Sequence, residues 1–244
     1  MLKTRVLTAV VALPILIAII LVGGWLFAGL VLAALLIGGL EDVHLLRQRD
    51  YHVPTWLVLA LIALPVLAEW FDRADWRVPG LAALLVLGTA YDIWGVERER
   101  SAPLVALALA VFGGIYLGWL GSYLIAVRQL QEGAYLTLML YGCVAFSDSA
   151  AYFVGRAWGR HRLSPRVSPK KTWEGYLGSI IGGAIFGALA GGLPDTQVLT
   201  WTHGAVIGLL IGTLGTVGDL GISAIKRQVG AKDSSHLIPG HGGI

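Results

Sequence analysis

The sequence predicts an all-α fold: a polytopic membrane helix bundle with about eight transmembrane helices and a cytoplasmic N-terminus. Three observations carry that expectation. Of the 244 residues, 56% are hydrophobic and 14% charged, with a mean hydropathy of +0.73, whereas ordinary soluble domains carry about 25% charged residues. The 18 basic and 15 acidic side chains cannot cover the exterior of a soluble domain this size, so surplus apolar surface must face lipid. Apolar stretches near the length that crosses about 30 Å of hydrocarbon recur along the chain, and the basic residues concentrate on alternate loops between them.

The first stretch, 6–22, follows Lys3 and Arg5 as a signal peptide would. Gly23-Gly24 then leads straight into a second apolar run, 25–40, with no A-x-A-type cleavage site, so the pair reads as a retained hairpin. Further stretches occupy 55–70, 79–95, 102–127, 134–155, 175–193 and 199–218. With the N-terminus inside, Lys3, Arg5, Arg47, Arg49, Arg98, Arg100, Arg156, Arg160, Arg162, Arg166, Lys170, Lys171, Lys226, Arg227 and Lys232 fall on the cytoplasmic side. Only Arg73, Arg77 and Arg128 fall outside, as the positive-inside bias requires. An even number of spans returns the segment after Gly218 to the cytoplasm. In the seventh stretch Gly178, Gly182, Gly183, Gly187 and Gly191, and in the eighth Gly208 and Gly212, form small-residue faces. Such faces let helix backbones approach closely, within the chain first and in a homodimer seam second. A single cysteine, Cys143, excludes an internal disulfide framework and a cysteine metal cluster. No repeat of 20 to 50 residues recurs.

Charges before residue 145 read mostly as solvated loop groups: Glu41, Asp42, Arg47, Arg49, Asp72 and Glu97. His44, His52 and His203 lack ligand-like neighbours and read as packed or interfacial, and Asp92 lies near enough to a span end to reach headgroup water. Asp148 differs, because it sits inside an apolar span, where a carboxylate costs about 2.5 to 3.5 kcal/mol and is functional by default. On a helix Asp148, Tyr152 and Gly155 make one polar stripe suited to a cavity wall, the plainer reading being an interhelical hydrogen bond. The loop from Arg156 to Gly175 is rich in cations, which suits an anion site, acidic headgroups or a stop signal. If the last helix continues past Gly218, Asp219, Ser223, Lys226 and Gly230 share a face with Arg227 beside them. Carboxylate, hydroxyl and cations together are the set for phosphate and Mg²⁺, and Pro239-Gly240-His241-Gly242-Gly243 can present backbone N–H groups to an anion.

These residues resemble the phosphatidate cytidylyltransferases (CDP-diacylglycerol synthases), integral membrane enzymes. The family signature of Ser-x-apolar-Lys-Arg, four residues, Lys-Asp, then Pro-x-His-Gly-Gly is matched by Ser223, Ile225, Lys226, Arg227, Lys232, Asp233, Pro239, His241, Gly242, Gly243 and Ile244. Asp219, the loop Ser168-Pro169-Lys170-Lys171-Thr172-Trp173-Glu174-Gly175 and Ser147-Asp148 are similar to family positions as well. The likeness is dense over 145–244 and topological before that. In the family an Asp-Arg-x-Asp element and a last spanning helix follow, so the resemblance implies a chain truncated at its C-terminus, about nine spans in the complete enzyme, and low activity without them.

The resemblance implies transfer of the cytidylyl group of CTP to phosphatidic acid, giving CDP-diacylglycerol and pyrophosphate in phospholipid biosynthesis at the cell's inner membrane, with the active site facing the cytoplasm. It divides the chain into N-terminal membrane helices, 1–133, serving as scaffold and candidate dimer contact, and a catalytic membrane region, 134–244. Asp219 and Asp148 are the implied ligands of Mg²⁺, with a second cation left open. Lys226, Arg227 and Lys232 would hold phosphates, Asp233 would orient Lys232 or bind metal, and Lys170, Lys171, Thr172 and Ser223 would contact substrate. His241, Gly242 and Gly243 would cradle the triphosphate. The expected partners are CTP, phosphatidic acid and the bilayer, with no nucleic acid. Two rivals stand beside this reading: a CTP-dependent enzyme acting on an isoprenoid lipid, and a transporter using Asp148 and Asp219 between glycine-rich helices.

Overall fold

The computed structural model describes residues 2–193 and 198–231. Among these, eight α-helices follow the apolar stretches: α1 Leu2–Val22, α2 Gly24–Arg47, α3 Thr55–Trp70, α4 Arg77–Glu97, α5 Pro103–Gln129, α6 Gly133–Trp158, α7 Trp173–Gly191 and α8 Trp201–Gln228. A short hairpin, β1 Arg162–Ser164 and β2 Ser168–Thr172, joins α6 to α7. The all-α expectation holds for the spans; the hairpin is an addition that hydropathy could not register, because its strands are polar. Among the described residues, five helical segments, 24–47, 74–97, 103–129, 133–158 and 201–228, are long and apolar enough to cross a membrane. Large apolar side chains are exposed on every α-helix, so the protein is an integral membrane protein.

The chain divides into two compact units, one of Met1–Gln129 with the stretch from Val229, the other Leu130–Gln228. In the first, α3 is the core. Leu57, Val58, Leu61 and Ile62 are almost fully buried, against Val43, Leu45 and Leu46 of α2 and Ala106 and Ala110 of α5. Its 16 residues reach about 24 Å at 1.5 Å each, short of the hydrocarbon thickness. Gly118 of α5 brings the backbones close, since a Cβ there would lie 2.5 Å from the Cα of Ile62. Between α1 and α2, Gly23 and Gly24 take φ of +66° and +55°, where a side chain would be strained. Arg128 donates to the carbonyls of Ile20 and Leu21 at 2.7 and 3.1 Å, satisfying the end of α1.

Two expectations change here. Glu41 is not a solvated loop charge: α2 runs on to Arg47, and Glu41 lies buried within it. Asp42 faces α5, where a Cβ on Gly113 would come within 2.6 Å of its carboxylate oxygen. Hydropathy marked only the apolar part of a helix that continues as polar turns.

In the second unit α7 packs on both α6 and α8, and glycine makes both contacts. A Cβ on Gly187 would overlap the carbonyl oxygen of Gly204, and one on Gly208 that of Gly183. Ser179 donates to the Gly212 carbonyl at 3.0 Å across the same seam. Between α6 and α7, a Cβ on Gly175 would sit 2.9 Å from the Ala151 carbonyl oxygen, and one on Gly178 2.8 Å from Cβ of Val154. The small-residue faces are therefore filled within the chain, which takes them out of consideration as a dimer seam.

Candidate active site

The site forms where the C-terminal parts of α6 and α8 meet the hairpin and the start of α7. Gly159 ends α6, its N–H bonding the Gly155 carbonyl at 3.1 Å. The chain then turns through β1 and β2, paired antiparallel with a bulge; Pro169 is tolerated because both strands of a two-stranded ribbon are edges. Thr172 closes the hairpin and caps α7, its hydroxyl accepting from Gly175 N–H at 3.1 Å. Glu174, in the first turn of α7, reaches back over the hairpin. Its carboxylate accepts from the backbone N–H groups of Arg160 at 3.1 Å and His161 at 3.3 Å, and lies 2.7 Å from Nδ1 of His161. Hydrogen bonds from its own backbone N–H, the His161 ring and these amides hold the Glu174 carboxyl down at about 2.

A cavity of about 500 Å³ lies within this arrangement. Asp148, Tyr152, Gly155 and Arg156 supply its α6 wall, Lys170, Lys171 and Thr172 come from β2, Gly175 and Tyr176 from α7, and Thr216 and Asp219 from α8. Lys171 and Asp219 form an ion pair, and Asp148 is within electrostatic range of both. Arg156 donates to the Tyr152 hydroxyl at 2.8 Å. Carboxylates and cations therefore face one another in a space large enough for a phosphate-bearing ligand.

Five sequence-predicted residues, Asp148, Asp219, Lys170, Lys171 and Thr172, share this cavity. Thr172 is buried, and its hydroxyl oxygen is engaged as a helix cap, so it shapes the wall. Ser223, Lys226 and Arg227 lie on the following turns of α8 and are not part of the cavity lining. Arg227 instead donates through Nε to the Val167 carbonyl at 3.3 Å, tying α8 to the hairpin turn. Gly230 does not share the α8 face, because the helix ends at Gln228 and Gly230 takes a φ of +79°. Lys232, Asp233, His241, Gly242 and Gly243 lie outside the described residues. Sequence reasoning placed Arg156 only as one cation of a loop suited to an anion site, and gave no role to Tyr176 or Thr216. Arg156 was detectable, being one turn beyond Tyr152 on the polar stripe; Tyr176 and Thr216 carry no comparable signal.

The profile of the cytidylyltransferase family matches residues 3–244. The chain belongs to that family. Relatives named phosphatidate cytidylyltransferase include one from Brucella suis, 34% identical, with 100% of this chain and 86% of the relative covered. Others come from Staphylococcus haemolyticus, 32% identical over 99% and 92%, and from Bacillus subtilis, 30% identical over 99% and 90%. This cytidylyltransferase family member is thus a membrane-embedded nucleotidyltransferase enzyme of phospholipid biosynthesis, and the transporter reading falls away.

Proposed function

We propose that this chain transfers the cytidylyl group of CTP to phosphatidic acid, forming CDP-diacylglycerol and releasing pyrophosphate. The observation that carries the reading is the cavity in which Asp148 and Asp219, from helices with large exposed apolar side chains, meet Lys170 and Lys171 of the hairpin. The names of the relatives supply the substrates. A phosphate oxygen of the lipid attacks the α-phosphorus of CTP, the bond from that phosphorus to the bridging oxygen breaks, and pyrophosphate leaves with the electron pair. The phosphate monoester is already a nucleophile, so the protein contributes positioning and neutralisation of charge. Lys170 and Lys171 hold phosphate oxygens, and the ammonium of Lys171 exchanges its carboxylate partner for phosphate when substrate enters.

The donor set suits Mg²⁺. Two carboxylates from α6 and α8 meet in one cavity, and Mg²⁺ binds through one or two carboxylates plus substrate phosphates rather than in an all-protein cage. Among the described residues no group of three or more His, Cys, Asp or Glu forms such a cage. Asp148 and Asp219 would hold the ion, which supplies charge stabilisation at the phosphate oxygens when bound; a second cation remains part of the proposal. The eight apolar stretches support eight spans, the basic-residue distribution supports an N-terminus and a site on the cytoplasmic side, and the family resemblance supports the inner membrane. A homodimer, if formed, must use surfaces other than the α7 and α8 glycine faces.

The test is incorporation of radiolabelled CTP into chloroform-soluble product by the purified chain in detergent micelles. Label transfer that requires both phosphatidic acid and Mg²⁺ is expected. Transfer to a polyprenyl phosphate in place of phosphatidic acid would reassign the substrate.

A further inference from the structure

We propose that Arg156, oriented by Tyr152, is the receptor for the phosphate monoester of the lipid substrate, leaving the hairpin lysines to the nucleotide. This deepens the cytidylyl-transfer reading and rests on it. A lipid phosphate has to enter a polar cavity while its acyl chains stay in the bilayer. Its receptor therefore belongs where the polar wall meets a lipid-facing surface, and α6 provides that junction. Tyr152 and Arg156 line the cavity, while Phe153 beside them is 66% exposed and Trp158, in the same turn as Arg156, is 68% exposed. Lys170 and Lys171 instead come from the hairpin, whose strand β2 reads Ser-Pro-Lys-Lys-Thr and carries no large apolar side chain.

Charge accounting separates Arg156 from Lys171. Lys171 has Asp219 as a counterion. Among the described residues no carboxylate forms a salt bridge with Arg156, so its guanidinium brings an uncompensated positive charge to the wall. The Tyr152 hydroxyl accepts from one nitrogen at 2.8 Å, and the guanidinium carbon lies 6.0 Å from the tyrosine ring centroid. These contacts fix the fork while leaving its other N–H groups for a bidentate phosphate contact, which guanidinium makes better than ammonium. An arginine that merely snorkels to bulk headgroups has no need of a tyrosine hydroxyl, and it would not line a cavity.

The experiment varies the mole fraction of phosphatidic acid in mixed micelles and the CTP concentration independently, with the full chain. Arg156→Gln is expected to raise the KM for phosphatidic acid about tenfold or more, the range for a lost charge-assisted hydrogen bond, with the KM for CTP changed by less than about twofold. Arg156→Lys should recover part of the loss, and Tyr152→Phe should shift the lipid KM in the same direction by a smaller factor. A rise in the KM for CTP instead, or reduced membrane content with both KM values unchanged, overturns the assignment. A binding arm without CTP separates this proposal from the reaction. Phosphatidic acid micelles should give a saturable tryptophan fluorescence response that phosphatidylglycerol, a diester, and inorganic phosphate do not reproduce, and Arg156→Gln should abolish it. An unchanged response in Arg156→Gln refutes Arg156 as the receptor. Absence of any phosphatidate-dependent transfer by the unaltered chain, with the fluorescence response intact, refutes the reaction alone.

Discussion

At Asp219 a protein cation stands where a metal ion is expected to bind. The Lys171–Asp219 pair has one partner mostly exposed, at 64%, and ion pairs so placed are worth about 0 to 1 kcal/mol. Phosphate and Mg²⁺ can therefore displace it readily. Asp219→Asn should cut Mg²⁺-dependent turnover by at least about a hundredfold with membrane insertion intact, because a neutral amide is a poor ligand for a hard cation. Near-normal label incorporation at saturating Mg²⁺ would remove Asp219 from that role. Arg227 makes a different prediction. Since its Nε reaches the Val167 carbonyl, Arg227→Lys should expose the hairpin turn to protease as well as slow turnover. Slowed turnover with unchanged cleavage would return Arg227 to a phosphate-binding role alone. Asp148 and Asp219 were legible from sequence because a carboxylate inside or beside an apolar run has few structural uses. Glu174 had no such signal: its partners lie 13 and 14 residues back, and only folding of the hairpin brings them together.

The hairpin and its clasp are the element on which the cations depend. Glu174 has a folded-state carboxyl depressed to about 2 from an ordinary 4.5. The depressed value means that its contribution is fully present above the ordinary value and is lost as pH falls toward 2. Hydrogen exchange at the Arg160 and His161 amides should accordingly stay protected down to about pH 4 and open below it. Glu174→Gln should show weaker protection at neutral pH and lose most of that acid dependence; an identical profile in both proteins would show that the clasp does not hold the hairpin. Thr172→Ala removes the α7 cap and should cost about 1 kcal/mol, read as a lower unfolding temperature in micelles. The helices themselves were legible because hydropathy tracks burial in lipid. Their ends were less so: α2 continues as polar turns past its apolar stretch, and for that reason Glu41 was read as a loop charge, whereas α8 continues past Gly218 as expected but stops at Gln228, short of Gly230.

For the molecule as a whole, the side of the membrane is the property most open to direct measurement. Cys143, the only cysteine, is fully buried, so the unaltered chain should resist membrane-impermeant maleimide. With the N-terminus inside, Asp75→Cys should label in intact cells, and Gln48→Cys only after the membrane is opened. The reverse pattern would invert the topology and move the cavity away from CTP. The seam between α7 and α8 sets a further constraint. Carbonyl oxygens sit against glycines at successive turns, so a slip of one residue would drive a branched side chain into backbone, and the two helices form a single rigid rule. The distance from Tyr176 to Asp219 is ruled by that seam, and with α6 held to α7 by glycine contacts as well, adjustment to differently shaped lipids is left to the hairpin. Discrimination among lipids should accordingly change with substitutions in the hairpin, while enlarging any glycine of the seam should remove the folded enzyme before it alters its preference.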